Sequence, residues 1–384
     1  MSKKYSLYAL LSYALVAILA MSLAAAAPAS PSAKPPTKTP TPGSGPTATP
    51  APGTPISVYG AWHCGNDYCT WTTPRNTAPG GDFDTANHWI IDRGDGKPSA
   101  NIVILSFVEP LKLLNQTTDA GTLNGIPRGM DLNAVNYFKS KGIRVMVSIG
   151  GITYVDPWDA ALVQNGTLLG QRAAALATQL GVGVEIDWEE NSPTAAEIAG
   201  LHAFVNAYRA IHPYDASGND HTARLTIDLA VGNRWLSDIS REASINWLQT
   251  ETPVLDYANA MVPLGQPDTV QWQEHFDGYL IGVPKAPAKV AGSLWLVKNS
   301  GPAVLPECNN YANSLQKAYA NYVQTVQPNG EGTTAGMLGY MFWAAECQGT
   351  HSICTVPPTT CEAGLGEGAK QLNVPIPMPA LRQQ

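Results

Sequence analysis

Residues 183–189 read Gly-Val-Glu-Ile-Asp-Trp-Glu, so Glu185, Asp187 and Glu189 occupy every second position, with Val184, Ile186 and Trp188 between them. In a β-strand alternate side chains share a face about 6.6 to 6.8 Å apart, which lines three carboxyls along one side and apolar groups along the other. Alternating charge is ordinarily the mark of a solvated edge strand. Here, however, Ala173-Ala174-Ala175-Leu176-Ala177-Thr178-Gln179-Leu180 reads as a helix that feeds the strand through Gly181, and Ser192-Pro193-Thr194-Ala195-Ala196-Glu197 reads as the start of another. Helix, short turn, strand and helix again is the grammar of a parallel α/β unit, whose strands are covered on both sides. The acids are therefore expected inside a barrel, where charge is expensive unless shared, paired or used.

The same alternation continues along the chain and predicts a (β/α)8 TIM barrel over residues 56–374. Strands are expected at Ile56 to Trp62, Asn101 to Phe107, Ile143 to Gly151, the acidic segment, Arg224 to Val231, Leu255 to Met261, Lys289 to Leu296 and Met337 to Trp343. Helices are expected from Asn133 to Ser140, stopped by Gly142, from about Thr194 to Ile211, and from Asn310 to Val326.

The acidic strand resembles the active-site strand of glycoside hydrolase family 18, the chitinases and endo-N-acetylglucosaminidases, whose signature is Asp-x-x-Asp-x-Asp-x-Glu. On this chain those positions are Val182, Glu185, Asp187 and Glu189. Ser148-Ile149-Gly150-Gly151 is similar to the Ser-x-Gly-Gly that ends the family's third strand. Leu255 to Met261 resembles its sixth strand, and Gly339-Tyr340-Met341-Phe342-Trp343 its eighth. The landmarks come in the family's order over roughly residues 56 to 348.

The resemblance implies a retaining glycosidase that uses the substrate's own 2-acetamido oxygen as nucleophile. Glu189 would be the general acid, its pKa raised by burial and a neighbouring carboxylate. Asp187 would orient and polarise the acetamide, Glu185 would share a proton with Asp187, and Trp343 would stack beneath the sugar. Met261 at the end of the sixth strand and Trp62 on the first are further candidates for substrate contact. His63, Trp71, Trp188, Trp235 and Trp295 are weaker candidates for the groove, since core or rim packing accounts for each alone.

The chain departs from the family in three places: Glu185 stands as a conservative change for an Asp, and the other two places lose polar groups. Val182 removes one acid. Where the family reads Met-x-Tyr-Asp after the sixth strand, this chain has Met261-Val262-Pro263-Leu264, which lacks the tyrosine donor; such a donor is typically worth on the order of 10²-fold in rate. Tyr154 and Asp228 are the candidates to compensate. The substrate implied is a polysaccharide or glycan containing β-1,4-linked N-acetylglucosamine. The alternative is a silent relative, a carbohydrate-binding lectin or inhibitor.

The rest of the chain sets the context. Lys3 and Lys4, the apolar run from about Leu7 to Leu23 and Ala24 to Ala27 have the order of a secretory signal peptide, residues 1–27. Residues 28–55, nearly all Pro, Thr, Ser, Ala or Gly, read as a linker or stalk, and residues 375–384 as a tail. The expected protein is secreted, free of the membrane once the leader is cleaved, and monomeric. Six cysteines in such a chain predict disulfides; of 15 possible connectivities, Cys64–Cys69 and Cys354–Cys361 would close small loops and Cys308–Cys347 a large one. Asn115 and Asn165 head N-glycosylation sequons. The seven histidines show no metal-ligand spacing, so neither metal nor cofactor is expected. A formal charge of −7, with no basic stripe, argues against nucleic acid.

Overall fold

A computed structural model describes residues 53–65, 69–72, 87–261, 269–295, 315–326, 336–343 and 368–381. The expected leader, most of the linker, and Cys308, Cys347, Cys354 and Cys361 lie outside these residues. Eight parallel strands close into a barrel in sequence order, with the last paired to the first. They are β1 (Val58–Cys64), β2 (Ile102–Val108), β3 (Arg144–Gly150), β4 (Gly183–Asp187), β5 (Leu225–Leu229), β6 (Ala258–Ala260), β7 (Val290–Trp295) and β8 (Gly339–Trp343). Among the described residues a main helix follows each of β1 to β7 in turn: α1 (His88–Ile91), α2 (Leu132–Lys139), α3 (Val155–Leu180), α4 (Ala195–Ile211), α5 (Ser237–Asn246), α6 (Thr269–Asp277) and α7 (Leu315–Thr325), with a further short helix, Pro110–Asn115, between β2 and α2. The fold is the (β/α)8 barrel that the alternation predicts. The expected disulfide between Cys64 and Cys69 is present.

Strand alternation sorts the side chains into two cores. Val145, Val147 and Ile149 of β3, Val184 and Ile186 of β4, and Leu225, Ile227 and Leu229 of β5 belong to the main cluster, between strands and helices. Val58, Trp62, Ile102, Ile104, Met146, Tyr257 and Met341 form a separate cluster within the barrel. Residues on either side of Glu185 thus fill the strand–helix layer, and Glu185 itself goes with the interior.

Two features were not visible beforehand. Helix α3 is far longer than the alanine-rich stretch from 173 to 180. At Asn165 its backbone leaves helical geometry (φ −170°, ψ 81°), and the Asn165 side chain accepts a hydrogen bond from the Leu168 N–H at 2.9 Å, restarting the helix from within. The glycines beyond that break let α3 lie tightly on α4: a Cβ on Gly166 would fall 2.2 Å from the Gly200 carbonyl oxygen, and one on Gly170 2.3 Å from that of Phe204. Helix α4 starts with reciprocal bonds between Thr194 and Glu197, a capping box.

The second feature is at the strands' N-terminal end. Residues 375–381, set aside from their composition as part of a tail, pack against the barrel. Asn101 donates from its side chain to the Pro375 carbonyl at 3.2 Å. Met378 is buried with the interior cluster, Leu381 packs against it, and Ile376 packs on the main core. Prolines suit this extended path because it needs few backbone N–H partners.

Candidate active site

The three acids of the β4 segment sit where the period-two argument puts them. Glu185 is fully buried, Asp187 is 3% exposed, and Glu189, two residues beyond the strand's end, is partly exposed. Their apolar neighbours go the other way: Trp188 is buried in the main core, where its indole N–H donates to Asp159 at 2.9 Å. This is the strands' C-terminal end, where barrels of this type carry their chemistry.

Glu185 lies deepest. One of its oxygens accepts from the Trp62 indole N–H at 2.8 Å and the other from the Asn259 amide at 2.6 Å. Ser148, its register partner on β3, stands alongside without a well-aligned bond, as does the buried Asp228 carboxyl, whose Oδ1 has no hydrogen-bond partner. These contacts favour the charged form, yet burial outweighs them and pushes the Glu185 pKa up to about 7. The expected partner of Glu185 was Asp187. In the structure the Asp187 Oδ1 is buried with no hydrogen-bond partner, and the Glu185 charge acts on the Asp187 carboxyl across the barrel interior. Burial, followed by the charges of Glu189 and Glu185, raises the Asp187 pKa well above the usual carboxylate range. Burial also lifts Glu189 to about 7, against a hydrogen bond from the Ile152 N–H.

The Gly-Gly after β3 has a definite task. Gly150 is paired with Asp187, and a Cβ there would lie 1.8 Å from the Asp187 carbonyl oxygen. That oxygen accepts from the Gly151 N–H at 2.9 Å and the Trp158 indole at 3.1 Å. The floor beneath Asp187 is therefore held by backbone that only glycine permits. Across the barrel, Trp343 is partly exposed at the end of β8, with ring centroids 6.5 Å from Trp62 and 5.6 Å from Phe107. An aromatic group at the mouth is thus linked, through Trp62, to the deepest acid.

Of the other candidates, Asp228 joins the cluster: it is 1% exposed, and its pKa is driven up by burial and by the charges of Glu185 and Asp187. Tyr154 stands elsewhere, partly buried, with Glu109 and Lys112 as the charges acting on it. Met261 packs against the main core just beyond β6. His63 and Trp71 are core residues, Trp71 donating to the Ser106 carbonyl at 2.8 Å, and Trp235 is partly buried against the same core. Val182 also belongs to that core, so an acid at its position would lie on the far side of the strand from Asp187. Pro263 lies outside the described residues. Asn259 was missed, although Tyr257, Asn259 and Met261 alternate as the acids do. Among the described residues no three His, Cys, Asp or Glu side chains are grouped to hold a metal ion.

No protein-family model matches the sequence, and no curated protein does. Among solved structures, the chain is similar to a GH18 chitinase from Pseudoalteromonas aurantia, with a TM-score of 0.51 and 14% identity over 82% of this chain and 99% of that one. The likeness is one of fold. A GH18 chitinase from Cycas revoluta, in complex with allosamidin, matches with a TM-score of 0.47 and 14% identity over 82% of this chain and 98% of that one.

Proposed function

We propose that the chain is a retaining glycoside hydrolase of the family 18 type, cleaving β-1,4-linked N-acetylglucosamine in chitin, its oligosaccharides or the N-glycan core. The observation that carries this reading is the graded line of carboxyls along and just beyond β4, with Glu189 outermost and its pKa raised to about 7. A carboxyl so poised is partly protonated at neutral pH and can give its proton to a glycosidic oxygen. Asp187, whose Oδ1 has no partner inside the protein, is placed to accept from the acetamide N–H. The acetamide oxygen then attacks the anomeric carbon, the route open to enzymes without a nucleophilic carboxylate. Trp343 offers an aromatic face to the sugar. We read the protein as secreted and monomeric.

One observation favours a second reading, a carbohydrate-binding protein without turnover: Pro263 stands where the family carries its tyrosine. Incubating wild type and Glu189→Gln with chitin oligosaccharides and N-glycoproteins separates the two. Hydrolysis by wild type alone supports the enzyme; equal product from both removes Glu189 from the mechanism; binding without product supports the lectin.

A further inference from the structure

The opposite, N-terminal end of the barrel carries a second cluster of charged side chains, and its signs do not balance. Arg144 opens β3, Arg224 precedes β5, Asp256 precedes β6 and Lys289 precedes β7; all four are buried. Arg209 of α4 joins them, so four cations meet one acid. Arg209 pairs with Asp256 at 3.2 Å, and Lys289 reaches the Asp256 backbone carbonyl at 3.3 Å. Both also lie against the Tyr214 ring, 5.7 and 5.5 Å from its centroid.

The other two cations are less well served. Arg224 Nη1 lies 3.4 Å from Asp256 without forming a hydrogen bond. Arg144 has no carboxylate partner among the described residues: it donates to the Gly218 carbonyl, and its Nη1 is buried with no hydrogen-bond partner. Asp215, on the same turn as Gly218, spends its oxygens on Ser217 and the Asp220 N–H. Gly183 of β4 lets the two arginines converge, for a Cβ there would fall 2.7 Å from that of Arg224. They meet at Gly218, where the nearest atoms to an added Cβ are Arg224 Nη2 at 3.2 Å, Ala380 Cα at 3.6 Å and Arg144 Nη2 at 3.9 Å. Gly218 is itself partly exposed, so this meeting point is reached from solvent. A buried cation without a counter-charge is costly, and the planar guanidinium fork matches the oxygens of an oxyanion.

We propose that Arg144 and Arg224 form a binding site for a small inorganic oxyanion, sulfate or phosphate, beside Gly218 at the N-terminal end of the barrel. The anion accepts from both guanidinium groups and supplies the negative charge that Asp256 alone does not. The site is remote from the acids of β4 and does not rest on the hydrolase reading.

Thermal melts of the full chain test this, with sodium chloride replaced stepwise by sodium sulfate or sodium phosphate at fixed ionic strength. In wild type the midpoint should rise and then saturate, by about 2 to 4 °C in all, with at least one of the two oxyanions. Arg144→Met, which keeps the apolar stem and removes the guanidinium, should lose that response. In crystals soaked with selenate, an anomalous peak should lie within hydrogen-bond reach of Arg144 and Arg224. A wild-type midpoint that climbs with sulfate without saturating reflects general exclusion of the salt and overturns the proposal, even if the variant fails to fold. A midpoint set by ionic strength alone, a saturable response to chloride in place of the oxyanions, a response retained in Arg144→Met, or a selenate peak only elsewhere overturns it equally.

Discussion

Glu189 shows how a carboxyl held largely out of water weakens the fold that carries it. Its pKa in the folded protein, about 7, lies above its ordinary value of 4.5. The neutral carboxyl therefore favours the folded state fully below pH 4.5, and that contribution is lost as pH rises through 7. Glu189→Gln replaces the charge by a neutral group of the same shape. At pH 8 it should stabilise the protein by about 1 to 3 kcal/mol, allowing for partial exposure, and at pH 4.5 it should change little; paired thermal melts at the two pH values check this. The same substitution should lower kcat on the order of 10²- to 10⁴-fold, the usual worth of a positioned proton donor. A linked expectation of the hydrolase reading concerns wild type: kcat/KM should fall as pH rises through about 7, because in that reading Glu189 delivers the proton. A rate that stays flat to pH 9 would exclude Glu189 as the acid.

Between elements, the tightest constraint is the approach of β3 to β4 at Gly150. Its φ is +124°, a left-handed conformation that strains any side chain, and a Cβ would collide with the Asp187 carbonyl. Gly150→Ala should destabilise by about 3 kcal/mol or more, seen as a lower urea midpoint, and should perturb the side-chain carboxyl of the same Asp187 residue. Gly166→Ala makes a useful contrast. It loosens α3 against α4 far from the acids, so an unfolding penalty of about 1 to 3 kcal/mol should leave the Glu189 titration where it was. These elements also show what the sequence could and could not convey. The β4 strand was legible because three acids at period two, between helices, leave one face for them. Asn259 was not, because Ala258 and Ala260 make its strand look ordinary and its partner Glu185 lies 74 positions away; closure of the barrel alone brings them together. Helix α3 was half hidden because Asn165 and Gly166 are turn signals in isolation. Packing on α4, together with the Asn165 side-chain bond, overrides them.

At the scale of the whole barrel, the two ends do different work. The C-terminal end holds buried carboxyls that destabilise the protein when ionised, so the opposite end has to be well sealed. Residues 375–381 supply part of that seal: Met378 buries itself with Val58, Ile102 and Leu338, Leu381 packs alongside, and the Pro375 carbonyl takes the Asn101 amide. Arg93 holds the preceding chain by donating to the carbonyls of Ala369 and Val374, at 3.3 and 3.4 Å, so a chain ending at Val374 keeps that anchor and loses only the seal. Removing Ile376, Met378 and Leu381 exposes apolar surface on both sides of the contact, worth about 2 to 4 kcal/mol. The shortened chain should therefore unfold at a lower urea concentration, with faster amide exchange at the starts of β1 and β2 than at the ends of those strands. Because the acid cluster sits at the far end, the Glu185 and Glu189 midpoints should be unchanged in the molecules that remain folded. A truncation that leaves the unfolding midpoint where it was would show that these seven residues rest on the barrel without sealing it; a shift of the carboxyl midpoints would show that the two ends are coupled through the interior column of Ile104, Met146 and Met341.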